Sequence, residues 1–182
     1  QKYVELDTGE KVDIVRVFYK GYYRDYVGVT SIVADLGDGS DQLGFMMDEA
    51  ASSDPNAAQI NVHFTGGEGN DSITYAGSGS ATIYGSGGDD TLVGGNQGDF
   101  IYGGSGADRI KGNDGADDIE GGDDNDVLYG GLGADTIKGE GGDDQIFGDN
   151  DKTNTELNGA DHIDTIEGGG GRDFIRGDMG AD

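Results

Sequence analysis

The chain contains 182 residues, and its 37 acidic side chains against 11 basic ones give a formal charge of −26 at pH 7. A charge of this sign excludes proteins that bind nucleic acid or anionic membranes through a basic surface, and the absence of cysteine excludes disulfides and thiolate metal sites. No apolar run approaches the ~20 residues of a membrane-spanning helix, so the sequence predicts a soluble chain without a transmembrane segment.

The first 31 residues are rich in aromatic and β-branched side chains. Residues 12–19 and 22–29 are predicted to be two strands linked through Gly21. Five of the nine tyrosines lie within the first 26 residues. We interpret residues 1–31 as a β-rich cap on the rest of the chain, and the alternative is that exposed tyrosines bind a glycan.

Residues 32–84 are predicted to form irregular coils of a solenoid. Residues 32–43 and 60–73 share a pattern of alternating apolar residues followed by a glycine-rich turn and an aspartate. Residues 46–59, which contain the single proline, are predicted to be an excursion from these coils.

Residues 85–147 divide without remainder into seven nine-residue units. Every unit begins with glycine, has aspartate at its sixth position and has leucine or isoleucine at its eighth. The first-position glycines are Gly85, Gly94, Gly103, Gly112, Gly121, Gly130 and Gly139. The sixth-position aspartates are Asp90, Asp99, Asp108, Asp117, Asp126, Asp135 and Asp144. If two units form one coil, residues two units apart stack at the ~4.8 Å spacing of neighbouring strands.

This stacking predicts two aliphatic ladders inside the solenoid and two files of carboxylates along its edges. One ladder is Leu92, Ile110, Leu128 and Ile146, and the facing ladder is Ile101, Ile119 and Ile137. The core is therefore predicted to be a thin aliphatic column.

Less regular copies of the unit flank this run. Residues 66–74 contain Asp71 at the sixth position, whereas residues 76–84 have Ala81 there, which removes one candidate ligand. Residues 159–167, 168–176 and 177–182 continue the pattern, with Asp164 and Asp173 at sixth positions. Residues 148–158 interrupt the pattern and are predicted to be an inserted loop. Because the last copy stops at Asp182, we expect the chain to be a fragment of a longer protein.

The units at residues 103–111 and 130–138 match the nonapeptide G-G-x-G-x-D-x-U-x in full. In this respect the chain resembles the RTX (repeats-in-toxin) family over about two thirds of its length. The resemblance implies an all-β, right-handed parallel β-roll with Ca²⁺ bound between adjacent turns. It also implies a secreted or cell-surface bacterial protein, exported by type I secretion, whose repeats fold only outside the cell.

The residues themselves also favour calcium. Stacked carboxylates ~5 Å apart repel one another, and a cation between coils removes that repulsion. Ca²⁺ accepts six to eight oxygen ligands at flexible geometry, whereas Mg²⁺ requires a stricter octahedron. The predicted ligands are the sixth-position aspartates, including Asp71, Asp164 and Asp173, and the turn glycines, including Gly87. The other acids of the repeats are predicted to be solvated or outer-shell: Asp89, Asp114, Asp118, Asp123, Asp124 and Asp143.

No catalytic motif is present in the sequence. His63 and His162 lie far apart, and His63 alternates with apolar residues as on the outer face of a strand. The leading hypothesis is a non-enzymatic, calcium-binding roll that stabilises or presents the rest of a larger secreted polypeptide. The alternatives are an adhesin or surface-layer module that binds glycan or another subunit, and the non-catalytic C-terminal part of a secreted protease, lipase or epimerase.

Overall fold

The computed structural model describes residues 3–8, 14–19, 22–27, 29–46, 60–77, 79–149 and 163–177. Within these ranges the chain forms strands and no helix. None of the described segments is therefore a helix that is long and apolar enough to cross a membrane.

Seventeen strands follow one another in the described ranges. They are β1 Tyr3–Thr8, β2 Ile14–Tyr19, β3 Tyr22–Val27, β4 Val29–Asp35, β5 Gln42–Met46, β6 Asn61–Glu68, β7 Ser72–Ala76, β8 Ala81–Gly87, β9 Thr91–Val93, β10 Phe100–Ser105, β11 Arg109–Asp114, β12 Asp118–Asp123, β13 Val127–Leu132, β14 Thr136–Gly141, β15 Gln145–Asp149, β16 Thr165–Glu167 and β17 Phe174–Arg176.

From β4 onward the strands alternate between two parallel sheets. The first sheet has the order β1-β4-β6-β8-β10-β12-β14-β16, and the second has the order β17-β15-β13-β11-β9-β7-β5. Each coil contributes one strand to each sheet, and each inner coil pairs with the coil before and after it. This arrangement confirms the predicted all-β parallel β-roll.

The core between the two sheets is the predicted pair of aliphatic ladders. In the second sheet Leu92 pairs with Ile110, and the register continues through Leu128 to Ile146. In the first sheet Ile101 pairs with Ile119, which pairs with Ile137. All seven side chains are fully buried. Because side chains alternate in direction along a strand, the residues on either side of each aliphatic face outward.

The N-terminal strands agree with the sequence in part. β2 and β3 pair antiparallel, with Tyr19 opposite Tyr22, as expected for two strands joined at Gly21. β1 was not predicted, and it pairs antiparallel with β4 at the edge of the first sheet. The placement of the N-terminal tyrosine side chains stays a prediction. Most of the predicted excursion, residues 47–59, lies outside the described residues.

Aromatic residues join the aliphatic core at the N-terminal end of the roll. Phe64 and Tyr75 are buried, and Phe45 stacks on Tyr75 with ring centroids 5.6 Å apart. The Tyr75 hydroxyl donates to the Ile60 carbonyl at 2.9 Å and accepts from the Gly79 N–H at 3.0 Å. We call Phe45, Phe64 and Tyr75 the aromatic plug. It stabilises the first coils through a wider apolar core than the repeats possess.

Replacing Tyr75 with phenylalanine should destabilise the calcium-saturated protein by about 1–3 kcal/mol, because two buried backbone groups lose their hydrogen-bond partner. Urea unfolding followed by circular dichroism measures the difference. Tyr84→Phe is the matched control, since that ring lies on the outer face of the first sheet, and its cost should stay below about 0.5 kcal/mol. Equal losses in the two variants would contradict this role of the hydroxyl.

The inserted segment begins later than the sequence predicts. Asp149 still pairs with Gly131, and Gly148 packs against the carboxylate of Asp164 as a first-position glycine does. Along the file of aspartates the offset between coils grows from 18 residues at Asp117 and Asp135 to 29 at Asp135 and Asp164. Gly148 and Asp149 therefore belong to the coil and not to the predicted loop 148–158. Residues 150–162, which include Gly159 and His162, lie outside the described part of the chain.

Candidate metal centre

The chain passes from one sheet to the other within the first six residues of each unit. In the turn that ends at Asp108, the second and fourth positions are Gly104 and Gly106, both with φ of +117°. This left-handed conformation favours glycine. A Cβ on Gly106 would also lie only 2.5 Å from the carbonyl oxygen of Gly88 in the preceding coil. Glycine at these positions lets successive turns approach closely enough to stack.

The sixth-position aspartates form two files, one along each edge of the roll. The first edge carries Asp71, Asp90, Asp108, Asp126, Asp144 and Asp173, and the second edge carries Asp99, Asp117, Asp135 and Asp164. Nine of these ten side chains are buried, and Asp173, in the last described turn, is half-buried. The predicted stacking of the carboxylates into two files is therefore present in the structure.

One oxygen of each carboxylate belongs to the backbone stack. The Oδ1 atom of Asp108 accepts the N–H of Asp90 at 2.8 Å, and the Oδ1 atom of Asp126 accepts the N–H of Asp108 at the same distance. On the second edge, Asp117 Oδ1 accepts the N–H of Asp99 at 2.8 Å. The sequence did not reveal this role. The aspartates of each file therefore join neighbouring coils by hydrogen bonds that do not require a cation.

The other oxygen is buried without a hydrogen-bond partner at five of these positions. These are the Oδ2 atoms of Asp90, Asp108, Asp117, Asp126 and Asp144. A buried charged oxygen without a partner is costly, so each of these atoms indicates a ligand. Asp99 differs, since its Oδ2 accepts the N–H of Gly95 at 2.5 Å.

The first-position glycines line the space beside these oxygens. A Cβ on Gly112 would overlap the Oδ2 atom of Asp117 and would lie 2.6 Å from the carbonyl oxygen of Gly130 in the next coil. Gly85 has the same relation to Asp90 and to the Gly103 carbonyl oxygen. Two oxygens from successive coils therefore converge where an ordinary residue would carry its side chain. We call this arrangement the oxygen cradle.

All but one of the predicted glycine ligands lie in a cradle. As at Gly112, a Cβ would overlap the Oδ2 atom of the sixth-position aspartate of the same unit at Gly94, Gly103, Gly121, Gly130 and Gly139. A Cβ on Gly87 would instead approach Glu68 Oε2 at 3.3 Å, so Gly87 lies away from the carboxylate file.

Two of the acids predicted to be solvated also join coils. Asp89 Oδ1 accepts the N–H of Ala107 at 3.0 Å, and Asp143 Oδ1 accepts the N–H of Arg172 at 3.0 Å. The Asp143 carboxylate also forms an exposed ion pair with Arg172, at 2.8 Å. These residues occupy the fifth position of their units, where Asn70 and Asn125 accept a backbone N–H of the next coil in the same way.

Burial raises the pKa of the file carboxyls. The pKa of Asp90 rises to about 6, those of Asp108 and Asp126 to about 7, and that of Asp117 to about 8. The hydrogen bond from the preceding aspartate lowers each pKa, and the neighbouring carboxylates of the file raise it further. Without a cation, these groups therefore hold their protons to a higher pH than an exposed aspartate does.

The donor set fits a hard cation. Among the described residues, no three histidine, cysteine, aspartate or glutamate side chains converge on one point. A cation in a cradle would be held by the Oδ2 atom of one coil together with backbone carbonyl oxygens. Carboxylate and carbonyl oxygens are the ligands that Ca²⁺ prefers.

The family model of the RTX calcium-binding nonapeptide repeat, which spans four copies, matches the chain at residues 61–74, 75–110, 93–128, 120–152 and 158–182. These ranges cover well over half of the chain and include every sixth-position aspartate of both files. No curated protein matches the chain.

Proposed function

Because the chain belongs to the RTX calcium-binding nonapeptide repeat family, we propose that it is a β-roll domain whose coils become stable when Ca²⁺ binds between adjacent turns. The observation that carries the proposal is the row of buried Oδ2 atoms without partners, each beside a first-position glycine. Bound calcium would be the positively charged partner of these oxygens.

The ligands at each junction would come from two successive turns. On the first edge, Asp108 and Asp126 would provide carboxylate oxygens, and the carbonyl of the first-position glycine Gly121 would lie beside them. The Oδ1 hydrogen bonds hold each carboxylate in a fixed orientation, so that its Oδ2 remains directed into the cradle. Binding requires the carboxyls to lose their protons, which makes calcium affinity dependent on pH.

Calcium would also provide much of the folding free energy. The regular repeats bury one aliphatic side chain per unit, and the chain carries a charge of −26. So small a core offsets little of the conformational entropy lost on folding, ~1–2 kcal/mol per residue for the backbone. The free energy of metal binding then becomes folding free energy.

These energetics suit a protein that works outside the cell. Extracellular calcium modules bind with dissociation constants of ~10⁻⁴ to 10⁻³ M, so the coils that depend on calcium would stay unfolded in the cytosol and fold after export. We propose that it is secreted or displayed on a bacterial surface, and that it stabilises or presents a larger polypeptide. Residues 1–31 would cap the roll and join it to that polypeptide.

The outward aromatic rings of the described sheets do not favour a glycan platform. Tyr84 and Tyr102 stack on each other with centroids 5.1 Å apart and planes 15° apart, and Tyr129 and Phe147 do the same at 4.9 Å. Rings that cover one another's faces leave mainly their edges to solvent. Sugar rings generally stack on open aromatic faces, so these four rings do not support the adhesin alternative. The N-terminal tyrosines on which that alternative depends have side chains outside the described part of the chain.

A calcium titration from EDTA to 10 mM CaCl₂, followed by far-UV circular dichroism and isothermal titration calorimetry, tests the proposal. We expect a cooperative gain of β structure with a midpoint of ~10⁻⁴ to 10⁻³ M. MgCl₂ is the control and should be at least about tenfold less effective, because Mg²⁺ retains its waters. Absence of any calcium-dependent change in structure and of binding heat would overturn it.

A further inference from the structure

The turn at residues 94–99 differs from the other described turns of the regular repeats. Apart from Gly79 in the irregular copy at residues 76–84, the other described fourth positions have positive φ: Gly69, Gly88, Gly106, Gly115, Asp124, Gly133, Gly142 and Gly171. Here the fourth position is Gln97, and neither Gln97 nor Gly95 at the second position has positive φ. The left-handed conformation is unfavourable for glutamine, so the backbone of this turn follows another path.

This path supplies Asp99 with a second hydrogen bond from the protein. Asp99 Oδ1 accepts the N–H of Ala81 at 2.7 Å, as in the rest of the file, and Oδ2 accepts the N–H of Gly95 at 2.5 Å. The next carboxylate on the same edge, Asp117, has no hydrogen-bond partner at Oδ2. An N–H directed at Oδ2 fills the position, and supplies the partial positive charge, that a cation would otherwise provide.

The following turn provides another donor at the same junction. Asn113, at the second position of its unit, donates from its side-chain amide to the carbonyl oxygen of Gly94 at 2.8 Å. The equivalent residue one coil later is Gly131, which has no side chain. The carbonyl of a first-position glycine is thereby engaged by the protein.

The junction is also continuous with the aromatic plug. A Cβ on Gly95 would lie 2.9 Å from Cδ1 of Tyr75, so the backbone of this turn packs directly on the buried ring. The preceding position of the file is Ala81, which carries no carboxylate. On its N-terminal side the turn therefore contacts apolar atoms.

We infer that the junction between turns 94–99 and 112–117 is a seam that the protein closes with its own hydrogen bonds. Asp99 is a structural carboxylate, not a calcium ligand, and calcium binding on the second edge starts between Asp117 and Asp135. The seam keeps the N-terminal coils ordered without calcium, and the later coils add to them as calcium binds. The two statements about calcium ligands, at Asp99 and between Asp117 and Asp135, rest on the proposed function.

Paired substitutions on the second edge test the assignment of Asp99. Asp99→Asn and Asp117→Asn remove the same charge from two buried positions one coil apart. Calorimetry and equilibrium dialysis with ⁴⁵Ca²⁺ should show that Asp117→Asn binds at least one calcium ion fewer than the unaltered chain, whereas Asp99→Asn binds the same number. Loss of an ion in Asp99→Asn would overturn the assignment.

Hydrogen exchange of the full chain in EDTA tests the seam without calcium and without altering Asp99. Amides of residues 79–117 should exchange at least about tenfold more slowly than those of residues 127–149. Asn113→Gly removes the side-chain amide and tolerates the positive φ of this position. It should remove that protection in EDTA and leave the number of calcium ions bound at saturation unchanged. Equal exchange of the two segments in the unaltered chain would overturn the seam. This measurement does not depend on bound metal. If the chain never bound calcium, the proposed function would be contradicted, and hydrogen exchange would still test the seam.

Discussion

Gly112→Ala should raise the calcium concentration at the folding midpoint by about tenfold or more, which corresponds to ~1.4 kcal/mol. The first-position glycine does not have positive φ, so the effect is steric and not conformational. The new Cβ would overlap Asp117 Oδ2 and lie 2.6 Å from the Gly130 carbonyl oxygen, which closes the oxygen cradle. Overpacking of a tight site typically costs ~1–3 kcal/mol, to which the lost metal ligands add. Circular dichroism during a calcium titration measures the midpoint.

Gly141→Ala is the matched control. Gly141 lies in a turn on the other edge of the roll and also lacks positive φ, but a Cβ there would approach nothing closer than Gly122 O at 3.8 Å. Its midpoint should stay within about twofold of that of the unaltered chain, which corresponds to ~0.4 kcal/mol. If Gly112→Ala titrated like Gly141→Ala, the cradle would not be where the cation binds.

In EDTA, the β structure of the roll should be more stable at pH 5 than at pH 8. Folding raises the pKa of Asp108 from 3.8 to about 7, so the folded state binds more protons than the unfolded state between these values. Stability from this group is fully present below pH 4 and is lost as the pH rises through 7. Between pH 5 and pH 8 the change is about 2–3 kcal/mol for such a carboxyl, and Asp117 and Asp126 act in the same direction. Circular dichroism and urea unfolding at both pH values measure it.

Saturating calcium should reverse this dependence. Calcium binds the deprotonated carboxylates, so its apparent affinity should increase between pH 5 and pH 8 while the metal-free fold weakens. Asp126→Asn should reduce the pH dependence in EDTA, because it removes one of the titrating groups. A metal-free fold that gained stability from pH 5 to pH 8 would show that the file carboxyls are ionised without calcium.

The coil geometry was predictable because the sequence repeats without error over residues 85–147. With one aliphatic residue per unit, a continuous core forms when the eighth-position residues of successive coils stack on one another. The pairing of Ile110 with Leu128 and of Ile119 with Ile137 follows directly from that constraint. The two files of aspartates follow from the same register.

The orientation of each carboxylate was not predictable. Whether Asp108 faces solvent, a cation or a backbone amide depends on the path of the turn, which periodicity does not define. The same limit applies to the insertion, because the gap in the repeat could be placed at either end of residues 148–158. Contacts of Gly148 in the folded chain decide its position.

Gln97 shows a third kind of limit. The sequence shows that glutamine replaces the usual glycine at the fourth position of this unit. It does not show that the backbone of the turn lacks positive φ there. Only when the fourth position is known to require positive φ does the glutamine indicate a different turn and a different set of partners for Asp99.

The pairing of coils along a single axis restricts how such a domain changes length in evolution. Removal of the 18 residues of one coil brings equivalent neighbours into contact and leaves both sheets in register. Removal of one nine-residue unit would instead transfer every later strand to the opposite sheet, so that Tyr129 and Phe147 would continue the outward row of Tyr84 and Tyr102. Duplication and loss are therefore expected to occur in pairs of units, whereas insertions such as the one after Asp149 can have any length.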